Sequence, residues 1–296
     1  MKLSQLIYLP LWYFKIRVLK KQIPLQTVLF VSNVCNYDCK HCCMDKSKPI
    51  NKTYEQIKSE LEYSFELGSR FVDFEGGEPT LWNDSGKNIN DLCLLAKKIG
   101  FFTTTVTTNA SNDFSWLKAD HVFVSLDGIN AHDVIRQKNA FEKLKRNIEN
   151  FPTPEKLSVN MVINSINKDE VETVLDFAES NPYINGVSFN FYNSFNGDDS
   201  LCVEQKDVII QKIVEYKKRG YKILNTIQGL KYLSNPRFER VCWMTNFITE
   251  RGERYLGCQA IGSKLCENCG LGMAGEMRAL YDFNLQTVFA GLKLRR

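Results

Sequence analysis

Three cysteines near the start of the chain have a spacing that suits iron. Cys35, Cys39 and Cys42 stand in the run Val34-Cys-Asn-Tyr-Asp-Cys-Lys-His-Cys-Cys43, a C-x3-C-x2-C pattern. Three thiolates can hold three irons of a [4Fe–4S] cluster, which normally takes four cysteines, so one iron would keep an open coordination site. A zinc knuckle or a set of buried thiols is the alternative, and the adjacent His41 keeps zinc open. The spacing favours a reactive cluster.

Two later segments suit the binding of a ligand beside such a cluster. Phe74-Glu-Gly-Gly-Glu-Pro79 contains two glycines, which let the backbone approach a ligand closely. Val124-Ser-Leu-Asp-Gly128 is followed by His132-Asp-Val-Ile-Arg136, and a guanidinium is suited to bidentate contact with a carboxylate. For Arg136 the alternative is a solvated charge on a helix. Each segment alone is a weak signal, and the order of all three makes the signal specific.

Together these motifs resemble those of the radical S-adenosylmethionine (radical SAM) superfamily. The resemblance implies that SAM chelates the fourth iron and that one electron from the cluster releases a 5′-deoxyadenosyl radical. It also implies a reductant such as flavodoxin or ferredoxin. Arg136 would then meet the SAM carboxylate, the glycine segment the SAM amino group, and His41 the adenine. The full set of expected SAM contacts is His41, Gly76, Gly77, Glu78, Pro79, Asn109, Ser125, Asp127 and Arg136.

A second group of cysteines lies near the C-terminus. Cys242, Cys258, Cys266 and Cys269 provide a closed set of four thiols. Their arrangement resembles the SPASM and twitch accessory domains of the same superfamily, with one residue of difference between Gly252 and Cys258. The resemblance implies one auxiliary [4Fe–4S] cluster. A four-cysteine zinc ribbon is the alternative, because two of the thiols form C-x2-C.

The overall composition and the remaining thiols limit which classes of protein the chain can belong to. The chain has 296 residues, ten cysteines and a net charge of +4, which gives no reason to expect nucleic-acid binding. Clustered cysteines favour metal ligation in a reducing cytosol over a secreted disulfide framework. Three cysteines have no partner at ligand spacing and are expected to be small buried or surface thiols: Cys43, Cys93 and Cys202.

The chain between residues 25 and 235 alternates strand and helix signals. Thr53 with Gln56 predicts a capping box, Gly68 a helix end, and Asn167 with Glu170 a second cap. Repeated strand–helix units predict a parallel sheet with right-handed crossovers, rolled into a partial (β/α)6 barrel with its site at the carboxyl ends of the strands. The predicted strands are 25–31, 70–74, 101–107, 121–126, 157–163 and 186–191.

Polar residues late in this pattern are weaker candidates. Asn160, Asn190 and Tyr192 could face the barrel interior as substrate or SAM contacts, and a structural polar role is at least as good an interpretation. Pro236 ends the barrel region. The fold class is therefore α/β: a basic, aromatic N-terminal segment (1–24), a radical SAM core (25–235) and a small twitch-like auxiliary iron–sulfur domain with a tail (236–296).

The N-terminal segment concentrates positive charge. Residues 1–24 hold five cations and no acid, while the rest of the chain has 33 basic and 34 acidic residues. The cations are Lys2, Lys15, Arg17, Lys20 and Lys21. The segment is also rich in apolar and aromatic residues, yet too short and interrupted to span a bilayer. It is predicted as an amphipathic helix that either lies in a membrane interface or packs across the open side of the core.

The motifs predict radical chemistry more closely than they predict a substrate. The basic aromatic N-terminus favours a lipid-linked or membrane-associated substrate and a cytoplasmic protein peripheral to the inner face of the membrane. A ribosomally made peptide is the second candidate, since SPASM and twitch domains often accompany peptide maturases. A non-enzymatic zinc or electron-transfer protein is the alternative from another class. The product type and the catalytic acid or base residues are not predicted.

Overall fold

A single mixed sheet organises the chain. The computed structural model describes residues 3–195, 197–235 and 237–294, so Lys2 and Pro236 lie outside the described residues. Eight strands are hydrogen-bonded in the order β6-β5-β4-β3-β2-β1-β7-β8. They are β1 (Gln26–Ser32), β2 (Phe71–Gly76), β3 (Thr103–Thr108), β4 (His121–Ser125), β5 (Leu157–Ile163), β6 (Val187–Phe191), β7 (Thr245–Ile248) and β8 (Arg254–Leu256).

The first six strands confirm the predicted partial barrel. They pair in parallel with their neighbours, and helices cover the outer face, as crossover connections require. Their outward-facing residues form one large apolar core with the helices. The helices are α1 (Leu3–Arg17), α2 (Tyr54–Leu67), α3 (Ile89–Ile99), α4 (His132–Ile135), α5 (Ala140–Glu149), α6 (Val171–Ser180), α7 (Lys206–Lys218), α8 (Ile227–Ser234), α9 (Gly272–Tyr281) and α10 (Leu285–Leu294).

The predicted capping residues are correct at the start of α2 and wrong at the start of α6. Thr53 and Gln56 form the expected capping box at the start of α2, and Gly68 ends it with φ of 121°. Asn167, in contrast, does not cap α6, which begins after Glu170 without a side-chain cap. The Asn167 amide is buried and donates to the carbonyl of Asp127 at 3.0 Å. A tertiary contact therefore replaces the predicted local one.

Two strands of the C-terminal segment extend the core sheet. Strand β7 pairs in parallel with β1, and β8 returns antiparallel beside β7. The hairpin of β7 and β8 is thus continuous with the core sheet on the side away from β6. It places the cysteine-bearing ends of the hairpin at a defined position relative to β1.

Helix α9 lies across the lateral opening of the barrel. Next to β6, the backbone N–H of Gly272 donates to the Asn190 side chain at 2.7 Å. On the other side, Met273 contacts the side chains of Gln26 on β1 and Thr245 on β7. The helix therefore bridges the two edges that the parallel strands leave apart.

Helix α1 packs across the amino-terminal ends of the strands. Trp12 and Ile16 are buried against Leu25, Phe71 and other members of a second apolar cluster. The opposite side of α1 exposes a large apolar surface: Leu6, Ile7, Leu11 and Phe14. Apolar residues thus lie on both the buried and the exposed side of the helix. Within the described residues no helix is long and apolar enough to cross a membrane.

Candidate functional site

The cysteine loop follows β1 and is held in shape by one buried asparagine. The Asn33 amide donates to the carbonyls of Asp45 and Lys48 at 2.7 and 2.8 Å. Its oxygen accepts from the backbone N–H of Ile50 at 2.6 Å. These bonds close the loop on itself, and the loop brings three thiols to one end of the central cavity: Cys35, Cys39 and Cys42.

Hydrogen-bond donors surround these thiols. The Asn109 amide lies 3.8 Å from Cys35 Sγ, and the Arg136 guanidinium lies 3.9 Å from Cys39 Sγ. Burial raises the pKa of Cys39 to about 11 and raises the pKa of Cys35 as well, so thiolates at this position require compensating positive charge. Iron would supply that charge, and sulfur ligands surrounded by donors are typical of iron–sulfur sites. The donor set fits the predicted cluster.

The two glycines of the second motif lie against the start of the cysteine loop. A Cβ on Gly76 would come within 2.3 Å of the Ser32 carbonyl oxygen, and one on Gly77 within 2.1 Å of the Val34 carbonyl oxygen. The backbone N–H groups of Gly77 and Glu78 donate to those same carbonyls at 2.7 and 2.8 Å. Glycine is therefore required because two backbone segments touch, and the contact positions the cysteine loop.

Glu78 is a buried junction between strands. Its side chain accepts hydrogen bonds from the backbone and hydroxyl of Thr80, the hydroxyl of Thr108 and the backbone N–H of Asn109, at 3.1, 2.6, 2.7 and 2.7 Å. The residue is only 1% exposed. The structure thus places Glu78 as a link from the end of β2 to the end of β3. Pro79 follows it, buried, at the start of a short 3-10 helix.

A buried ion pair lies on the opposite side of the cysteine loop. Asp127 is fully buried and accepts from Arg136 Nε at 2.7 Å and from the backbone N–H of Val162 at 3.1 Å. Burial alone would raise the pKa of Asp127, but the Arg136 guanidinium holds it below its usual range. His41 Nε2 lies 3.7 Å from the same carboxylate, and burial lowers the pKa of His41. Asp127, Arg136 and His41, which come from two separate motifs, therefore lie together beside the cysteine loop.

The barrel interior is polar near the cysteines. One continuous cavity of about 1850 Å³ opens at this end, and Ser125 lines it together with His41, Gly76, Gly77, Asn109 and Arg136. Glu75 also faces the cavity, and burial, with a smaller effect from Asp73, raises the pKa of Glu75 to about 7. Sequence analysis missed both carboxylates, although their alternation along β2 was a usable signal. Asn160 and Asn190 bond to each other at 2.7 Å, which favours their structural interpretation.

The four C-terminal cysteines converge around a second, smaller cavity. Cys242 precedes β7 and Cys258 follows β8, so the hairpin brings them together, and a short helical turn adds Cys266 and Cys269. Burial and the neighbouring thiols raise the pKa of Cys242 to about 12. Within the described residues no three His, Cys, Asp or Glu side chains are close enough to ligate one metal ion. Four thiols are the number that a [4Fe–4S] cluster takes, and the cavity that they line measures about 20 Å³.

Comparison with known proteins agrees with this geometry. The model of the radical SAM superfamily matches residues 29–178, about half of the chain. A probable GTP 3′,8-cyclase of Sulfurisphaera tokodaii is 25% identical over 238 residues, covering 72% of this chain and 74% of that protein. A GTP 3′,8-cyclase of Psychromonas ingrahamii is 29% identical over 132 residues, covering 40% of this chain and 38% of that protein.

Solved structures show the same fold at low identity. SuiB of Streptococcus suis bound to S-adenosylmethionine superposes with a TM-score of 0.64 at 16% identity, covering 82% of this chain and 62% of SuiB. The enzyme anSMEcpe with bound AdoMet has a TM-score of 0.59 at 18% identity, covering 92% of this chain and 84% of that chain. Motifs, fold and family model agree, and the chain belongs to the radical SAM superfamily of enzymes, whose cofactors are SAM and a [4Fe–4S] cluster.

Proposed function

We propose that this enzyme reductively cleaves SAM at a cluster held by Cys35, Cys39 and Cys42, and removes a hydrogen atom from a substrate in the barrel. The cluster with SAM supplies a 5′-deoxyadenosyl radical when both are bound. The observation that carries the proposal is the convergence of three thiols, the glycine segment and the Asp127–Arg136 pair at one end of one cavity. The protein binds, orients and shields the reacting groups, as expected for a cofactor-dependent enzyme.

Each residue near the thiols has a part that its contacts support. Arg136 uses Nε to bind Asp127, and its Nη1 lies 3.9 Å from Cys39 Sγ, so the end of the guanidinium beside the cysteines would receive the SAM carboxylate. His41 lies beside the adenine, and its low pKa keeps the ring neutral. Ser125 and Asn109 line the cavity as further polar contacts. Glu78 acts as a positioning residue, because its carboxylate is already occupied by four hydrogen bonds.

The second cysteine set is proposed to hold one auxiliary [4Fe–4S] cluster. Cys242, Cys258, Cys266 and Cys269 line one cavity that also contacts Thr245 and the start of α9. That helix also covers the barrel opening, so the cavity is close to the substrate space. The auxiliary site is therefore suited to exchange an electron with a substrate radical. A zinc ribbon is the alternative, and metal analysis separates the two.

For the substrate we favour an amphiphilic, lipid-linked molecule at a membrane surface. The exposed apolar strip on α1, formed by Ile7 and Leu11, lies beside the cations Lys15 and Arg17. An apolar strip with basic neighbours is typical of helices that lie on anionic bilayers. Peptide processing is the second candidate, since the fold also occurs in SuiB bound to its precursor peptide SuiA.

The names of the related cyclases suggest a nucleoside triphosphate as substrate, but the residues inside the barrel are poorly suited to binding one. Strands β1 to β6, as the structure describes them, contain neither lysine nor arginine. Cations from loops and helices also line the cavity, and three of them already pair with carboxylates: Lys46 with Asp38, Lys97 with Asp120 and Arg136 with Asp127. Their inward carboxylates, Asp73 and Glu75, would repel phosphate groups. Recognition of phosphate normally uses Arg, Lys or a helix N-terminus. A polar head group of low negative charge fits this interior better.

Iron content and SAM cleavage test the chemistry. Anaerobically reconstituted protein should bind about eight irons, as two [4Fe–4S] clusters require. The Cys39→Ala variant should hold about half of the iron and lose SAM cleavage, whereas Cys266→Ala should retain some cleavage. Cys43→Ala is the matched control, because it changes the cysteine next to a ligand and should behave as the parent. Stoichiometric zinc in place of iron, or cleavage by Cys39→Ala, would contradict the proposal.

Vesicle flotation tests the membrane surface. Leu11 is 55% exposed, and Leu11→Glu removes about 2 kcal/mol of apolar burial and adds repulsion from an anionic leaflet. Partition onto phosphatidylglycerol vesicles should therefore fall roughly 100-fold, given a total loss of about 3 kcal/mol. Leu94→Glu is the matched control, since Leu94 is 63% exposed on α3. If the intact protein ignores these vesicles at low salt, the peptide candidate takes first place.

A further inference from the structure

The central cavity does not end inside the barrel. From the cysteines it continues past the strands to the space between α1 and α10, at the amino-terminal ends of the strands. Its lining changes along the way. Near the cysteines it is polar, with Glu75, Thr107 and Asn160. Between the two helices most lining side chains are apolar, beside the polar Gln5, Arg17 and Thr287. One continuous space therefore joins a polar chamber to an apolar groove.

The apolar groove has two helical walls. On α1, residues at helical spacing face it: Leu6, Leu9, Pro10 and Tyr13. On α10, the wall contains Val288, Ala290 and Gly291. These are small side chains, and a Cβ built on Gly291 would meet no heavy atom within 4 Å. The groove is thus open at α10, and small residues keep it open.

Side-chain contacts fix both walls. The Tyr13 ring lies 5.0 Å from the Phe283 ring, and its hydroxyl donates to the Tyr281 carbonyl at 3.1 Å. On the other helix, Thr287 bonds to Thr226 at 3.0 Å through their hydroxyls. These contacts hold α1 and α10 to the rest of the protein on either side of the groove. The groove is therefore part of the folded structure and does not need a ligand to form it.

We infer that this α1–α10 groove binds the alkyl or isoprenoid chain of an amphiphilic molecule whose polar head occupies the barrel. The continuity of a polar chamber with a mostly apolar groove suits one ligand that has both parts. The outward strip of α1, with Ile7 and Leu11, does not line the groove, so surface attachment and chain binding are separate tasks of one helix. This inference rests on the proposed function, since it gives the lipid chain of the substrate its place.

A brominated alkyl maltoside, used below its critical micelle concentration, can report on the groove. Its sugar head is uncharged, and bromine on the chain quenches nearby tryptophan, so Trp12, which lines the cavity, serves as the reporter. Reconstituted wild-type protein should show saturable quenching that the unbrominated maltoside reverses. Gly291→Phe fills the groove and should weaken binding at least tenfold. Leu94→Phe, which adds the same side chain on an exposed helix face, should alter it less than twofold.

Two further variants make the outcome decisive. Val288→Glu places a charge in the same groove and should also weaken binding at least tenfold, which guards against a folding defect peculiar to Gly291→Phe. Leu11→Glu changes only the outward strip and should leave the saturable quenching within twofold. Absence of saturable quenching, wild-type quenching in both groove variants, or loss of quenching in Leu11→Glu alone would overturn the inference. SAM cleavage by the wild-type samples tests the proposed function separately.

Discussion

Replacing Glu78 by glutamine tests whether this carboxylate positions the site or contacts SAM. Glutamine keeps the size but turns one acceptor oxygen into an N–H donor. Three of the four hydrogen bonds go to Oε1, so the orientation that loses fewest of them puts the NH2 group in the place of Oε2. There it faces the backbone N–H of Asn109, which lies 2.7 Å from Oε2 in the parent protein. Two buried donors then lack partners, at about 1–3 kcal/mol each. We expect a loss of about 3 kcal/mol after local relaxation, and hence a melting temperature lower by roughly 6–12 °C.

Circular-dichroism melting of anaerobically reconstituted Glu78→Gln and parent protein measures this loss. Glu62→Gln is the matched control, because the Glu62 side chain is half exposed on α2 and pairs only loosely with Lys58. Exposed substitutions of this kind usually change stability by less than about 0.5 kcal/mol. The control should therefore melt with the parent.

The two roles of Glu78 give opposite patterns. If Glu78 is a positioning residue, the variant should melt at a lower temperature. Its SAM affinity should then fall only if the loops at the ends of β2 and β3 have moved. A direct SAM contact, as the motif first suggested, predicts unchanged melting with weakened SAM binding in equilibrium dialysis. Unchanged melting of Glu78→Gln would therefore refute the positioning role and the stability assigned to its four hydrogen bonds.

Three further predictions concern other parts of the fold. Gly77→Ala should lose at least half of the bound iron in an iron assay, since its Cβ would lie 2.1 Å from the Val34 carbonyl oxygen, while Gly291→Ala, with open space around it, should lose none. Arg136→Lys should weaken SAM binding at least tenfold in dialysis, because lysine cannot reproduce a bidentate contact. Burial raises the pKa of Glu276 to about 7, above its value of about 4.3 in the unfolded chain. The folded state therefore binds this proton more tightly than the unfolded state does. The resulting stabilisation is complete below about pH 4 and is lost as the pH rises to 7. Melting curves of Glu276→Gln should therefore decline less between pH 5 and 8 than those of the parent, and an equal decline would contradict this.

The parts of the site that lie close together in sequence were predictable. Cys35, Cys39 and Cys42 are set by a short spacing, and the order of the three motifs placed them at neighbouring strand ends of a parallel barrel. The reason for the glycines was different from the one expected. Gly76 and Gly77 permit contact with the chain at Ser32 and Val34, rather than with a ligand alone. The sequence showed that glycine occupies these positions, but it did not show which part of the chain the glycines contact.

Contacts between distant segments were not predictable from local patterns. Glu170 looked like the end of a capping box, yet its carboxylate accepts from the backbone N–H groups of Ile129, Asn130 and Ala131, some 40 residues earlier. That contact shapes the loop between Asp127 and α4. Likewise, nothing near residue 245 indicates that β7 pairs with β1. Such pairings depend on which elements meet in the folded chain. The local sequence pattern of one element does not indicate its partner.

Helix α1 connects the fold to the choice of substrate. Its composition suggested two exclusive alternatives, a helix packed on the core or a helix lying on a membrane. The structure gives the helix a buried side through Trp12 and Ile16, a groove side through Leu9 and Tyr13, and an outward side through Leu11. Because apolar side chains lie on each of these sides, one helix can serve all three surfaces at once. The two alternatives are therefore compatible.

The position of α1 also separates two functions along the barrel. The cofactor residues lie at the carboxyl ends of the strands, where the cysteine loop, the glycine segment and Arg136 meet. The apolar helices α1 and α10 lie at the amino-terminal ends, and the continuous cavity joins the two. Changes in α1 or α10 can therefore alter which molecule enters without moving a thiol or a SAM contact. The SAM motifs and the proposed chain-binding groove thus occupy opposite ends of the same barrel, so the motifs alone do not determine the substrate.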